Sequence, residues 1–163
     1  TEMYNSSADI SPTAGQMLRL VGLALASKVY KQNPDLHNDD FFSNKGNEVA
    51  FGTIGNASTS EGHFWEAINA AGVMQIPMAV SIWDDEYGIS VPAKYQTTKE
   101  NVGELLSGFA SNEDKKGVEV FTVNGWDYVN LCLTYEKAIK LCREEHRPVV
   151  IHVREITQPQ GHS

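Results

Sequence analysis

Short, nearly continuous apolar runs along the chain predict four β-strands. They lie at residues 48–54 (EVAFGTI), 77–83 (PMAVSIW), 117–123 (GVEVFTV) and 147–156 (RPVVIHVREI). Strands that lack a regular alternation of apolar and polar residues are typical of a sheet that is covered on both faces. We therefore expect these four strands to form the centre of the molecule.

Segments with the helical spacing of apolar residues lie between the strands. Ser11 followed by Pro12 is typical of a helix start, because serine caps the first amides and proline fits the first helical position. The residues that follow are small and apolar nearly all round, so we expect this helix to be buried. Asp127 is placed to cap a later helix. The predicted helices comprise residues 13–31, 60–73 and 128–146.

The alternation of strands and helices indicates an α/β fold: an open, mostly parallel sheet with helices on both faces. We expect a single domain over residues 1–163, a common domain size. The chain does not start with Met and its last residues, QPQGHS, stop within a loop, so we expect a fragment of a longer chain. In sheets of this kind, ligands bind beyond the carboxyl ends of the strands.

Composition narrows the classes of partner. The chain is 41% apolar and 21% charged, which is ordinary for a globular protein, and its formal net charge is −8. It has no basic patch, so we expect no nucleic-acid partner. No apolar run approaches the roughly 20 residues that cross a bilayer, so we expect no membrane partner.

Cysteine usage predicts the compartment. Cys132 and Cys142 lie in one predicted helix at a spacing that suits neither a metal site nor a disulfide. We expect both to be reduced, packed thiols, and hence a cytoplasmic protein.

The first candidate site is GTIGNASTSEG, residues 52–62, where a strand runs into a turn and a helix. Gly55 allows a sharp turn and a close approach to a ligand. Ser58 and Glu61 have the spacing of a capping box, which predicts a helix start near Ser58. The free amides of such a start favour a phosphate, although for this stretch alone a plain, well-capped helix is the preferred interpretation.

The second candidate site is SIWDDEYGISVP, residues 81–92, where a strand ends on Asp84 and Asp85. Adjacent carboxylates repel each other unless hydrogen bonds, water or a cation compensate. Mg²⁺ prefers oxygen ligands and commonly bridges to phosphates, so Asp85, the Asn56 amide and the Tyr87 carbonyl form a possible ligand set. The alternative is a solvated acidic turn.

A long motif resembles that of a known family. Residues 55–92, GNASTSEGHFWEAINAAGVMQIPMAVSIWDDEYGISVP, resemble the thiamine diphosphate motif in the alpha subunit of 2-oxo acid dehydrogenases of the branched-chain and pyruvate type. These are the decarboxylating components of 2-oxo acid dehydrogenase complexes. SPTAGQ (11–16) resembles the family's helix-opening segment, and ITQPQGHS (156–163) resembles the start of its mobile loop.

The resemblance implies a thiamine diphosphate-binding fold and two cofactors, thiamine diphosphate and Mg²⁺. It assigns Asn56, Asp85 and the Tyr87 carbonyl to the metal. The family has an acid at position 56 and an amide at position 85, so this chain exchanges the two and keeps one of each; we therefore expect metal binding to survive. Two further departures are Trp83 and Gln158, where arginines often stand.

The resemblance also implies roles for residues around the cofactor. His162 is the candidate catalytic residue, handling protons during acyl transfer, and Ser163 matches a regulatory phosphorylation site of some relatives. The other four histidines have no matching partners. The cofactor-binding candidates are Ser11, Thr13, Gly55, Ala57, Ser58 and Ile89.

The implied activity is the oxidative decarboxylation of a small 2-oxo acid, with acyl transfer to a lipoyl group. The implied partners are a beta subunit or beta domain, in a hetero-oligomer, and a lipoyl-bearing acyltransferase. Two alternatives stay open: another thiamine enzyme of the same fold, transketolase-like or acetoin-cleaving, or an assembly domain that has lost catalysis. Dependence on a lipoyl acceptor distinguishes the 2-oxo acid dehydrogenase from another thiamine enzyme of the same fold. Failure to bind thiamine diphosphate identifies the assembly domain.

Overall fold

The computed structural model describes residues 11–38 and 41–157, which are built around one four-stranded sheet. The strands are β1 (Ala50–Gly55), β2 (Met78–Trp83), β5 (Glu119–Asn124) and β6 (Val149–Arg154). Each strand lies within one or two residues of a predicted apolar run. All three strand pairs of this sheet are parallel, in the order β1-β2-β6-β5.

Helices cover both faces of the sheet. On one face, α1 (Gln16–Gln32), α2 (Gly62–Met74) and the short α3 (Val102–Leu106) pack on alternate residues of β2, including Val80. On the other face, α4 (Tyr128–Glu145) packs on the intervening residues, including Ala79. The two central strands, β2 and β6, are buried on both sides, since every residue but the last of each is buried. The predicted fold class is confirmed.

The first helix begins later than predicted and is less buried. Its N-cap is Gly15, and Ser11 and Pro12 lie in the turn that precedes it. Met17, Leu20, Ala24 and Ser27 form its buried face. The prediction of burial all round was wrong, because no element of the described residues covers its outer side. The apolar residues exposed there are Leu18, Leu23, Leu25 and Val29.

The helix start predicted at Ser58 was also wrong. A 3-10 turn, Ala57–Ser60, follows β1, and α2 begins at Gly62 with Glu61 as N-cap. Neither side chain of the expected capping box makes a cap hydrogen bond. Here Thr59, rather than Ser58, bonds back to the turn, through its hydroxyl to the Asn56 carbonyl at 2.6 Å.

Two smaller features complete the fold. A hairpin of two-residue strands, β3 (Tyr87–Gly88) and β4 (Val91–Pro92), follows β2. The predicted Asp127 cap is confirmed, since its carboxylate accepts a hydrogen bond from the Asn130 amide at 3.1 Å. Within residues 11–38 and 41–157, none of the helices has the length and apolar character that crossing a membrane requires.

Candidate functional site

The two candidate segments meet at the carboxyl ends of β1 and β2. Gly55 lies opposite Trp83 in the sheet register. The backbone amide of Asn56 continues the ladder of hydrogen bonds by donating to the Trp83 carbonyl at 3.0 Å. Farther out, Gly88 packs so closely on Ala57 that a Cβ at position 88 would lie 2.7 Å from the Ala57 Cβ. The turn after β1 and the hairpin after β2 are therefore in direct contact.

Asn56 is 6% exposed, which is low for an amide at a strand end. Its backbone carbonyl accepts from Thr59, but its side-chain amide makes no hydrogen bond within the described residues. The residual exposure leaves this amide open to water or to a ligand, since the fully buried side-chain atom without a partner in the described residues is Gln96 Oε1. An amide placed in this way can contribute its oxygen to a cation.

Asp84 is engaged by the protein itself. It is 8% exposed, and its Oδ2 lies 2.7 Å from Nε2 of His152 in β6. Its Oδ1 accepts from the Glu86 amide at 2.9 Å. Burial alone raises the pKa of the Asp84 carboxyl, but the hydrogen bonds from His152 and Glu86 and the nearby positive charge of Arg154 together hold that pKa below its usual value. Of the two adjacent acids, Asp84 is thus compensated without a cation.

Asp85 is half-buried, and its carboxylate bonds within its own turn rather than to the sheet. Its Oδ1 accepts from the Tyr87 amide at 3.1 Å, which closes a turn around the carboxylate. The Asp85 carboxylate, the Asn56 amide oxygen and the Tyr87 carbonyl are all hard oxygen donors, the ligand type that Mg²⁺ prefers. Across the described ranges, no three His, Cys, Asp or Glu side chains cluster as a metal site, so any metal here depends on amide, carbonyl and ligand oxygens. The donor set fits a magnesium–diphosphate pair.

Ile89 lies at the tip of the hairpin and is 59% exposed. Its φ is +57°, and Glu86 in the same turn has a φ of +66°. A β-branched residue with positive φ is a backbone outlier that costs about 1–3 kcal/mol. Ile89 is therefore not a core residue, and the strain is compatible with a ligand-contacting role.

A groove of about 1060 Å³ runs between α1 and β1. Ser11, Thr13 and Ser58 line it, so the structure brings these three candidates to one surface. The Thr13 carbonyl lies 3.0 Å from His63 Nε2 on α2, which ties the segment before α1 to the rest of the fold. Gly55 lies at the end of β1, and a Cβ there would meet no atom within 4 Å. Open space thus lies beside Ser58 and beside Gly55, two of the predicted cofactor-binding residues.

Trp83 does not take the place of a phosphate-binding arginine. Its indole nitrogen donates to Ser81 at 3.0 Å, and Ser81 in turn bonds to Tyr135 of α4. His162, Ser163 and Gln158 lie outside the described residues, so their roles stay predictions.

Sequence reasoning missed two histidines that hold the site. No partner was named for His152 or His63 from the sequence, yet they bond to Asp84 and to the Thr13 carbonyl. For His152 a signal was present, because a histidine inside an apolar strand needs a hydrogen-bond partner. The partner itself lies 68 residues away and could not be named from spacing. Both cysteines are free, as predicted, but only Cys142 is packed; Cys132 is exposed.

Comparison with known proteins identifies the family. The sequence model described as "Dehydrogenase E1 component" matches residues 2–162. The 2-oxoisovalerate dehydrogenase subunit alpha of Bacillus subtilis is 28% identical over 141 residues, 86% of this chain and 36% of that protein. The pyruvate dehydrogenase E1 component subunit alpha of Acholeplasma laidlawii is 26% identical over 130 residues, 80% of this chain and 32% of that protein. The chain thus spans about a third of the length of these relatives.

A solved structure supports the fold. Transketolase from Campylobacter jejuni superposes with a TM-score of 0.61 at 22% identity, over 86% of this chain and 20% of the transketolase chain. At this identity the likeness concerns the fold alone. The family model, by contrast, accounts for nearly the whole sequence, and the relatives named above are alpha subunits, in agreement with the resemblance of residues 55–92. The chain belongs to the dehydrogenase E1 component family.

Proposed function

We propose that this chain supplies the diphosphate- and metal-binding half of a thiamine diphosphate-dependent 2-oxo acid dehydrogenase. The reaction is the oxidative decarboxylation of a small 2-oxo acid with transfer of the acyl group to a lipoyl arm. Membership of the dehydrogenase E1 component family supports the reaction class. The 2-oxoisovalerate and pyruvate dehydrogenase relatives support a branched-chain 2-oxo acid or pyruvate as substrate.

One observation carries the proposal for this site. The nearly buried Asn56 amide has no protein partner in the described part of the chain and lies at the strand end next to the turn that presents Asp85 and Tyr87. The Asn56 amide oxygen, the Asp85 carboxylate and the Tyr87 carbonyl would hold Mg²⁺, whose positive charge would compensate that of a bound diphosphate.

The remaining candidate residues contact different parts of the cofactor in this proposal. Gly55, Ala57 and Ser58 hold the diphosphate through backbone groups, beside the open space at Gly55. Ile89 contacts the cofactor from the exposed hairpin tip, and the segment of Ser11 and Thr13 approaches its rings along the groove. When bound, thiamine diphosphate supplies the electron sink for decarboxylation. His162 is proposed to move protons during acyl transfer.

We further propose that the chain acts only with a beta half, as a separate subunit or as part of a fused chain, and with a lipoyl-bearing acyltransferase. The exposed apolar residues of α1, among them Leu18 and Leu23, are compatible with burial in a larger assembly. The free thiols Cys132 and Cys142 are compatible with a cytoplasmic location.

Titration calorimetry tests the site. Thiamine diphosphate is titrated into the full alpha–beta assembly, first with Mg²⁺ and then with excess chelator. Tight binding that disappears with the metal is the expected result, and lipoyl-dependent decarboxylation across 2-oxo acids is then assayed. Absence of binding in both conditions would show that the Asn56/Asp85 exchange is a loss of the site and would favour an assembly domain.

A further inference from the structure

One buried contact anchors the turn that carries two of the proposed metal ligands. His152 is 1% exposed, and its Nε2 lies 2.7 Å from Oδ2 of Asp84. In the sheet register His152 is opposite Ile82, so the contact joins the middle of β6 to the residue that follows β2. A buried carboxylate needs donors, and here the imidazole of a neighbouring strand is one of them.

Asp84 links this contact to the turn through further hydrogen bonds. Its side chain accepts from the Glu86 amide at 2.9 Å, inside the turn. Its backbone amide donates to the Val153 carbonyl at 2.9 Å, and its carbonyl accepts from the Ile156 amide at 3.2 Å. Four hydrogen bonds therefore tie this one residue to β6, to the segment just after β6 and to the turn that follows β2.

Asp85 and Tyr87 have weaker ties of their own. Within the described residues, the hydrogen bond of the Asp85 carboxylate is to the Tyr87 amide, which belongs to the same turn. The hairpin beyond consists of strands of two residues each, which contribute little stability alone. Asp84 is thus the hydrogen-bonded link between the sheet and the start of this turn, while the packing of Gly88 on Ala57 holds the hairpin beyond it.

We propose that His152 is a positioning residue for the metal site: by holding Asp84, it fixes the direction in which the Asp85 carboxylate and the Tyr87 carbonyl face the ion. The inference rests on the proposed function and deepens it. Groups that orient metal ligands without touching the metal typically change metal affinity by about 10- to 100-fold when they are removed.

Two substitutions of His152 separate positioning from packing. His152→Leu fills the space but removes the donor, which leaves Asp84 without its partner. His152→Gln keeps a donor, because the glutamine amide nitrogen stands as many bonds from Cα as the imidazole Nε2. Val150→Ala is the matched control, since Val150 is a fully buried residue of the same strand face and its truncation destabilises the core without touching the turn.

The measurement is the affinity of the assembled protein for Mn²⁺ in the presence of thiamine diphosphate, followed by electron paramagnetic resonance, with the unfolding midpoint of each variant. We expect His152→Leu to weaken Mn²⁺ binding by about tenfold or more. His152→Gln restores most of this affinity, and Val150→Ala keeps it despite a lower unfolding midpoint.

Two results would overturn the positioning role alone. One is wild-type Mn²⁺ affinity in His152→Leu; the other is an equal loss of affinity in Val150→Ala and His152→Leu at equal unfolding midpoints. A wild-type protein that binds no Mn²⁺ would instead overturn the proposed function, and the positioning role with it.

Discussion

The imidazole Nε2 of His146 lies 3.0 Å from the carbonyl oxygen of Gly46, 100 residues earlier in the chain. His146 ends α4 in a left-handed conformation, with a φ of +53°. Gly46 also accepts, through the same carbonyl, a hydrogen bond from the Ser27 hydroxyl of α1 at 3.1 Å. The loop before β1 therefore joins helices that lie on opposite faces of the sheet.

This contact predicts a pH dependence of stability. Burial lowers the pKa of the His146 imidazole below its usual value near 6.5, and the nearby Lys31 ammonium lowers it further, against the opposing effect of the Gly46 carbonyl. As pH falls below the ordinary value near 6.5, the imidazole of the unfolded chain therefore takes up its proton before that of the folded chain. The contribution of His146 to stability is present above the unfolded-state pKa and is lost as pH falls to the lower folded-state pKa.

The test compares urea unfolding of the wild type and of His146→Asn from about pH 7.5 to about pH 5.5. Asparagine tolerates the left-handed conformation but does not titrate. We expect the free energy of unfolding to fall less with acidification in the variant than in the wild type. Equal slopes would show that His146 does not contribute to the pH dependence.

Gly46 is predicted to be intolerant of any side chain. Its φ is +76°, and a Cβ would lie 2.4 Å from the Lys31 amide nitrogen and 2.4 Å from the Ser27 carbonyl oxygen. Because both atoms belong to the backbone of α1, they cannot move aside cheaply. We expect Gly46→Ala to lower the free energy of unfolding by about 3 kcal/mol or more.

Gly22→Ala is the matched control for this prediction. Gly22 lies inside α1, and a Cβ there would meet no atom within 4 Å. Since alanine favours the helix more than glycine, this variant should gain about 0.5–1 kcal/mol in the same denaturation experiment. Similar effects of the two substitutions would contradict the close approach at Gly46.

The two cysteines should differ sharply in reactivity. Burial raises the pKa of the Cys142 thiol to about 12, only partly opposed by the charge of Arg143, whereas Cys132 is exposed. Since the thiolate is the reactive form, iodoacetamide at about pH 8 should modify Cys132 and leave Cys142 intact until the protein is denatured. Peptide mass spectrometry measures both sites, and equal labelling rates in the native protein would refute the difference.

Ile89→Gly should separate stability from cofactor binding. Glycine adopts positive φ without strain, so we expect the free energy of unfolding to stay equal or rise by about 1 kcal/mol. Thiamine diphosphate affinity should fall by about tenfold, as expected when an aliphatic side chain no longer contacts a ligand. Ser90→Ala, at the neighbouring exposed position, should change neither quantity. A less stable Ile89→Gly would show that the side chain packs on the protein.

The exchange at positions 56 and 85 predicts a rescue. Asp85→Asn leaves two amides and no carboxylate, and should weaken Mn²⁺ binding by at least about tenfold, because the charge that compensates the cation is lost. Asn56→Asp added to that variant restores one carboxylate and one amide, and should recover most of the affinity. Equal Mn²⁺ affinity in all three proteins would place the metal elsewhere.

Much of the fold could be predicted from local sequence. The apolar runs located the four strands to within two residues. For the central strands β2 and β6 the reason is burial on both faces, which requires nearly continuous apolar stretches; the edge strands β1 and β5 are apolar enough to be found although they are only partly buried. Helix starts were less predictable. Ser11 and Ser58 have the right residue type for caps, yet neither is an N-cap in the structure. Residue type allows a cap, but the turns that connect each helix to the sheet decide where the helix begins.

By itself, the sequence determined the α/β fold, the family and the strand ends at which the candidate site lies, because each of these follows from periodicity or from the continuous motif of residues 55–92. Only the tertiary structure decided which of the two adjacent acids is held by a distant side chain. Asp84 is engaged by His152, which lies 68 residues away on the neighbouring strand, while Asp85 bonds only within its own turn in the described residues. The physical reason is that sheet register, which joins distant segments, selects hydrogen-bond partners that local spacing does not specify.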